Sequence, residues 1–102
     1  MELNVDLKKE NETLFVNLSG DLDINSNKKF KDSVNKVKGI KNIVVDCKEL
    51  SYVDSTGLGA FISIYKNLKQ QGKENILIKG LKPHIKKIFL ITDLDKVFKI
   101  EE

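Results

Sequence analysis

Between Asp54 and Gly59 the sequence places a hydroxyl between a carboxylate and two glycines, Asp54-Ser55-Thr56-Gly57-Leu58-Gly59. Ser55 could be a nucleophile, the glycines could cradle a phosphate, or the hydroxyl could itself be a modification site. A nucleophile elbow needs glycine two residues before and two after the serine, and position 53 is valine. His84, the one available base, opens a separate predicted helix and has no evident orienting partner. Gly57 and Gly59 lack the lysine and the length of a P-loop and do not make a dinucleotide fingerprint. Modification remains, and position favours it. A side chain at a helix start meets unpaired backbone N–H groups and the positive end of the helix dipole, which suits a phosphate. Asp54, Ser55 or Thr56 can also cap that helix. Capping and switching are compatible, and Ser55 is expected to do both.

The elements that hold this segment can be read on either side of it. Leu3 to Leu7 alternates apolar and polar residues, and Thr13 to Leu18 follows the turn-like Glu10-Asn11, so the chain opens with a predicted hairpin. Gly20 to Ser26 reads as turn and cap chemistry, with Asn25 or Ser26 capping a helix whose apolar positions are Phe30, Val34 and Val37 and which Gly39 ends. Ile43, Val44 and Val45 are an unbroken apolar run, the pattern of a central strand covered on both faces, leading through Tyr52 to the motif. Leu58, Phe61, Ile62, Tyr65 and Leu68 predict an amphipathic helix from Ser55 to Gln70 or Gln71, closed by Gly72. Asn75 to Lys79 is a further strand. Pro83 suits the first turn of a helix buried through Ile85, Ile88 and Phe89, and Val97 to Ile100 is a last extended piece. The class is α/β: one domain over 1–102, with a mixed four- to five-stranded sheet, an N-terminal hairpin and right-handed crossover helices.

Composition narrows the partners. A chain of 102 residues is one domain by length and can bury roughly 65% of its unfolded surface. Its apolar runs fall well short of the about 20 residues that a membrane span needs, and no signal peptide is read at Met1 to Glu10. Cys47 is the single cysteine and His84 the single histidine, so neither a disulfide framework nor a zinc site is expected. A reducing cytoplasm is the expected setting. The net charge of +3 comes from 18 basic residues, all of them lysine. Without arginine's planar fork a base-reading surface is not expected, although lysines could hold a polyanion weakly. Lys28, Lys29, Lys31, Lys36 and Lys38 read as a solvated helix face.

Tyr52-Val53-Asp54-Ser55-Thr56-Gly57-Leu58-Gly59 resembles the phosphorylation-site signature of STAS domains, specifically the bacterial anti-sigma-factor antagonists. The likeness extends to Gly20, Leu22, Asp23 and Ser26, to Val44-Val45-Asp46, and to Leu90, Thr92, Leu94, Phe98 and Ile100. Two departures stand out: Asn27 replaces a usually small residue, and members often continue into a C-terminal helix where this sequence stops at Glu101-Glu102.

The resemblance implies that Ser55 is phosphorylated by an anti-sigma factor acting as a serine kinase. The unphosphorylated form would bind that kinase so that sigma factor is released, and a PP2C-type phosphatase would reset the switch. It implies a partner-facing surface comprising Gly20, Asp21, Asp23, Asp54, Ser55, Thr56, Gly57 and Gly59, in which the two motif glycines keep the rim bare and Thr56 is a possible second acceptor. No catalytic residue, cofactor, metal or direct nucleic-acid contact is implied. The alternative is a phosphorylation-independent STAS scaffold or an adaptor subunit of a signalling or lipid-transport complex, with Ser55 only a cap.

Overall fold

In the computed structural model, which describes residues 2–72 and 75–102, Asn11 takes a left-handed conformation at φ 55° and folds the first two strands together. Asparagine tolerates that region better than most residues. β1 (Asn4–Glu10) pairs antiparallel with β2 (Thr13–Leu22), Glu10 opposite Thr13. From β2 onward every pairing is parallel: β3 (Asn42–Val53) lies beside β2, β4 (Asn75–Lys79) beside β3, and β5 (Lys99–Glu101) beside β4. The strand order β1-β2-β3-β4-β5 follows the sequence, as the predicted mixed sheet requires. Helices α1 (Asn27–Asn35), α2 (Ser55–Gln70) and α3 (Pro83–Ile91) are the crossovers. With crossovers of one hand joining strands in sequential order, all three helices pack on one face of the sheet.

Alternation along the strands follows from that layering. Leu14, Val16 and Leu18, Ile43 and Val45, and Ile76 and Ile78 are buried under the helices, whereas Phe15, Val44 and Leu77 point to the other face. Phe15 is 39% exposed and Val44 and Leu77 are half-buried, so the expectation of a central strand covered on both faces is not met. An unbroken apolar triplet meets a one-sided sheet when its middle residue lies in a row of apolar neighbours, here Phe15 and Leu77.

Four phenylalanines join the helices to one another. Phe61 of α2 meets Phe30 of α1, Phe89 of α3 and Phe98 edge-on, at centroid distances of 5.0, 5.5 and 6.0 Å. Cys47 of β3 is fully buried in the same core, and that burial, with the Asp46 charge beside it, pushes its thiol up to about 12.

Several element ends differ from the sequence expectation. β2 does not stop at Leu18 but runs to Leu22, so Gly20 and Asp21 belong to a strand. α1 ends at Asn35, and Gly39, with φ 70°, serves the turn that brings Ile40 into the core rather than the helix end. Ser26 occupies the N-cap position of α1 but makes no capping bond. Leu7, opposite Val16, lies at the sheet edge and is 38% exposed. The last extended piece begins at Lys99, because a short 3-10 turn at Leu94–Lys96 first tucks Leu94 and Phe98 into the core. α2 and the proline start of α3 agree with the sequence reading.

Truncating the shared ring should expose how far the helices depend on it. Phe61→Ala is expected to lower the free energy of urea unfolding by about 3–5 kcal/mol. Phe15→Ala, on the open face, should lower it by no more than about 1 kcal/mol.

Candidate functional site

The C-terminal ends of β2 and β3 lie side by side, and the predicted motif begins where they stop. Parallel α/β sheets present their ligand- and partner-facing loops at this edge. β3 reaches it with two extra residues relative to β2: Asn17 pairs with Asp46 but Ser19 with Glu49, and Gly20 pairs with Leu50 but Asp21 with Tyr52. Each extra residue breaks the two-residue alternation, so Cys47, Leu50 and Val53 are buried at a spacing of three. Ser51 and Tyr52 are consequently both exposed.

Asp54 makes the joint between strand and helix. Its N–H donates to the Leu22 carbonyl at 3.2 Å, tying the motif to the end of β2. Its backbone is extended, and its Oδ1 accepts the Gly57 N–H at 3.0 Å and the Thr56 hydroxyl at 2.6 Å. Asp54 is therefore the cap. The Thr56 hydroxyl, followed by the backbone N–H groups of Gly57, Thr56 and Ile24, holds its carboxyl below the usual carboxylate range.

Ser55 is consequently not the cap, as the sequence reading had it, but the first residue of α2. It is exposed, and its hydroxyl joins no hydrogen bond among the described residues. Thr56, expected as a possible second acceptor, is half-buried with its hydroxyl proton directed at Asp54. The two hydroxyls thus differ in access: one is open to solvent and the other is held inside the cap.

The glycines divide in the same way. A Cβ on Gly57 would sit 2.6 Å from the Leu22 carbonyl oxygen and 3.1 Å from Val53, so Gly57 is buried where helix and strand touch and does not form a bare rim. Gly59 is exposed with nothing within 4 Å of the corresponding position. Gly20, buried at φ 100°, would drive a Cβ to 2.0 Å from the Glu2 carbonyl oxygen, which makes it a packing residue rather than a contact residue.

The loop after β2 is braced from within. The Ser26 hydroxyl donates to the Asp21 carbonyl at 2.8 Å and accepts the Asp23 N–H at 3.0 Å, leaving it unable to cap α1. Asp23 Oδ1 accepts the Asn25 N–H at 2.9 Å, and the Asn27 amide donates to the Asp23 and Ile24 carbonyls. Asp21 and Asp23 are half-buried and Ile24 and Asn25 exposed, all on the edge that carries Ser55. Ile24 was passed over in the sequence; the available signal was a large apolar residue, outside any periodicity, in a run of polar turn formers.

Comparison with known proteins agrees with this architecture. The family model for the STAS domain matches residues 4–102. The anti-sigma-B factor antagonist of Staphylococcus aureus is 31% identical over an alignment of 104 positions, covering 100% of this chain and 95% of that protein. Among solved structures, a putative anti-sigma factor antagonist from Thermotoga maritima superposes with a TM-score of 0.87 at 21% identity, over 96% of this chain and 86% of that one. The phosphorylated form of the Bacillus cell fate determinant SpoIIAA gives 0.76 at 19% identity, over 95% and 90%.

Two glycines separated by one residue should respond in opposite directions to alanine. Gly57→Ala is expected to destabilise the fold, since the obstructing atom is backbone, whereas Gly59→Ala should stabilise it by up to about 1 kcal/mol, both read from urea midpoints. Asp54 has a depressed folded pKa, so its charge contributes stability above the ordinary aspartate range and loses it as pH falls through the folded value. The stability gap between wild type and Asp54→Asn should therefore narrow as titration proceeds into acid.

Proposed function

The chain belongs to the STAS domain family, and from that membership we propose that it is an anti-sigma-factor antagonist switched at Ser55, acting as one domain over residues 1–102. It is a cytoplasmic binding protein rather than an enzyme. Its unphosphorylated form engages an anti-sigma factor that is also a serine kinase, sigma factor is released, and a PP2C-type phosphatase restores the phosphorylated form. The observation that carries this reading is the state of one hydroxyl. Ser55 is exposed at the first position of α2, its hydroxyl unbonded among the described residues, while both neighbours are occupied in the cap.

The effect of phosphorylation follows from charge. A phosphoserine adds about −1.5 to −2 charges beside the Asp54 carboxylate, which the cap already holds ionised. The first-turn N–H groups and the helix dipole tolerate that anion, so the fold survives. A partner docked over Ser55 would have to bury the added charge without a matching cation. A hundredfold loss of affinity needs only about 2.7 kcal/mol, well within the effect of one uncompensated interfacial charge. Asp21, Asp23, Asp54, Thr56 and Gly59 lie on the proposed contact surface with Ser55, while Gly20 and Gly57 shape it from beneath.

Incubation with ATP and a cognate anti-sigma factor kinase should add one phosphate at Ser55, located by peptide mass spectrometry. Modification at Thr56 or elsewhere, or none by a kinase shown to be active, removes the reading. Ser55→Ala should retain kinase binding but lose its control by ATP, and Ser55→Asp should bind more weakly. Equal affinity of all three forms would point to a constitutive adaptor.

A further inference from the structure

The outer side of β1 is the longer of the two free edges of the sheet. Among the described residues this seven-residue strand pairs with β2 alone, which leaves the backbone N–H and C=O groups along its other side to water. The opposite edge, β5, has only three residues. One side chain of β1 is out of keeping with its face. Alternation sets Leu7 opposite Val16, on the side of the sheet that carries the helices, yet Val16 is buried and Leu7 is 38% exposed. An apolar residue at the middle of an open edge lacks the cross-strand neighbour that a further strand would supply.

The strand Asn4-Val5-Asp6-Leu7-Lys8-Lys9-Glu10 is centred on Leu7 and complements its own reverse. Two copies joined antiparallel about a twofold axis at Leu7 overlap along the whole strand. Leu7 then faces Leu7 of the second copy, Asp6 faces Lys8, Lys8 faces Asp6, and Asn4 faces Glu10. The Lys9 ammonium is already held by the Lys38 carbonyl at 2.8 Å, so Val5 meets the aliphatic stem of Lys9 rather than its charge. Lys8 stands 3.0 Å from Glu10 on its own strand, an exposed pair of little worth that Asp6 of the second copy can replace. Other registers are worse. A slide of two residues one way opposes Asp6 to Asp6, and a slide the other way opposes Lys8 to Lys8 and Asp6 to Glu10. A slip of one residue sets Leu7 against Asp6 or Lys8 and turns the helices of the two copies to opposite faces. Charges on an edge strand ordinarily discourage pairing, whereas these select one register.

We propose that β1 is the edge through which a second copy of this chain extends the sheet, in the antiparallel register centred on Leu7. Two five-stranded sheets then become one continuous sheet with the helices of both copies on one face. The twofold axis reverses the strands, so the C-terminal ends of β2 and β3, with Ser55 beyond them, lie at opposite ends of the assembly and both hydroxyls stay open. The contact is small, with seven strand residues a side against about 20–30 residues in a standard interface, so the dimer is weak, reversible and driven by concentration.

Sedimentation equilibrium over a concentration series, with the folding of each variant checked by circular dichroism, should show monomer giving way to dimer. Asp6→Lys and Lys8→Asp each oppose like charges twice across the axis and should weaken association about fivefold or more. The double variant Asp6→Lys/Lys8→Asp keeps the net charge of the wild type and should restore it. Leu7→Cys should cross-link under mild oxidation, because directly opposed residues of an antiparallel pair lie about 4.5–5.5 Å apart between Cα atoms, within disulfide range. Ile91→Cys, at a residue 71% exposed on α3, should not. A chain that stays monomeric up to about 1 mM overturns the proposal and leaves the edge to a strand of another protein. Association that ignores the single reversals, or that the double variant fails to recover, belongs to another surface or register and overturns it equally.

Discussion

The contact between Asp54 and the end of β2 fixes the site. One residue joins three elements: its N–H reaches the Leu22 carbonyl of β2, its chain continues β3, and its carboxylate closes the first turn of α2. That arrangement requires the helix to approach the strand until only a hydrogen fits at position 57. The motif's chemistry and its packing are therefore inseparable. The carboxylate satisfies N–H groups that would otherwise be orphaned, the missing side chain permits the approach, and the serine between them is left facing solvent.

The same joint distinguishes two adjacent hydroxyl groups. Reactivity toward a kinase depends on an unencumbered oxygen and room for a second active site. Thr56 is drawn into the cap and Ser55 is not. The neighbouring loop is organised on the same principle, with the Ser26 hydroxyl turned inward to hold Asp21 and Asp23. Internal hydroxyls brace the loop, and the Ser55 hydroxyl is left exposed beside it.

Much of this was legible in the sequence where the information is local. The hairpin turn at Asn11, the apolar stripe of α2 and the proline at the start of α3 each follow from residues within a few positions of one another. The strand-to-helix junction was legible because a carboxylate, a hydroxyl and glycines in succession form a short-range pattern. What the sequence did not disclose depends on distant partners. Gly20 is required by the Glu2 backbone, the outward turn of Tyr52 by a register shift against β2, and the choice of Asp54 over Ser55 as cap by where Thr56 and Gly57 direct their protons. Gly39 misled for a related reason, since a left-handed glycine marks a turn but does not say which element the turn serves.

Cys47, fully buried midway along β3 with its thiol pushed up to about 12, gives the protein an internal reporter of a different event. Thiol reagents attack the thiolate, and in the folded chain both deprotonation and access are denied. Alkylation of this single cysteine can proceed only through molecules in which β3 has parted from the helices, so its rate under native conditions measures the opening of the core itself. A cysteine introduced on the exposed edge would label without competition from the native one, and events at that surface could be followed separately from the breathing of the fold that supports it.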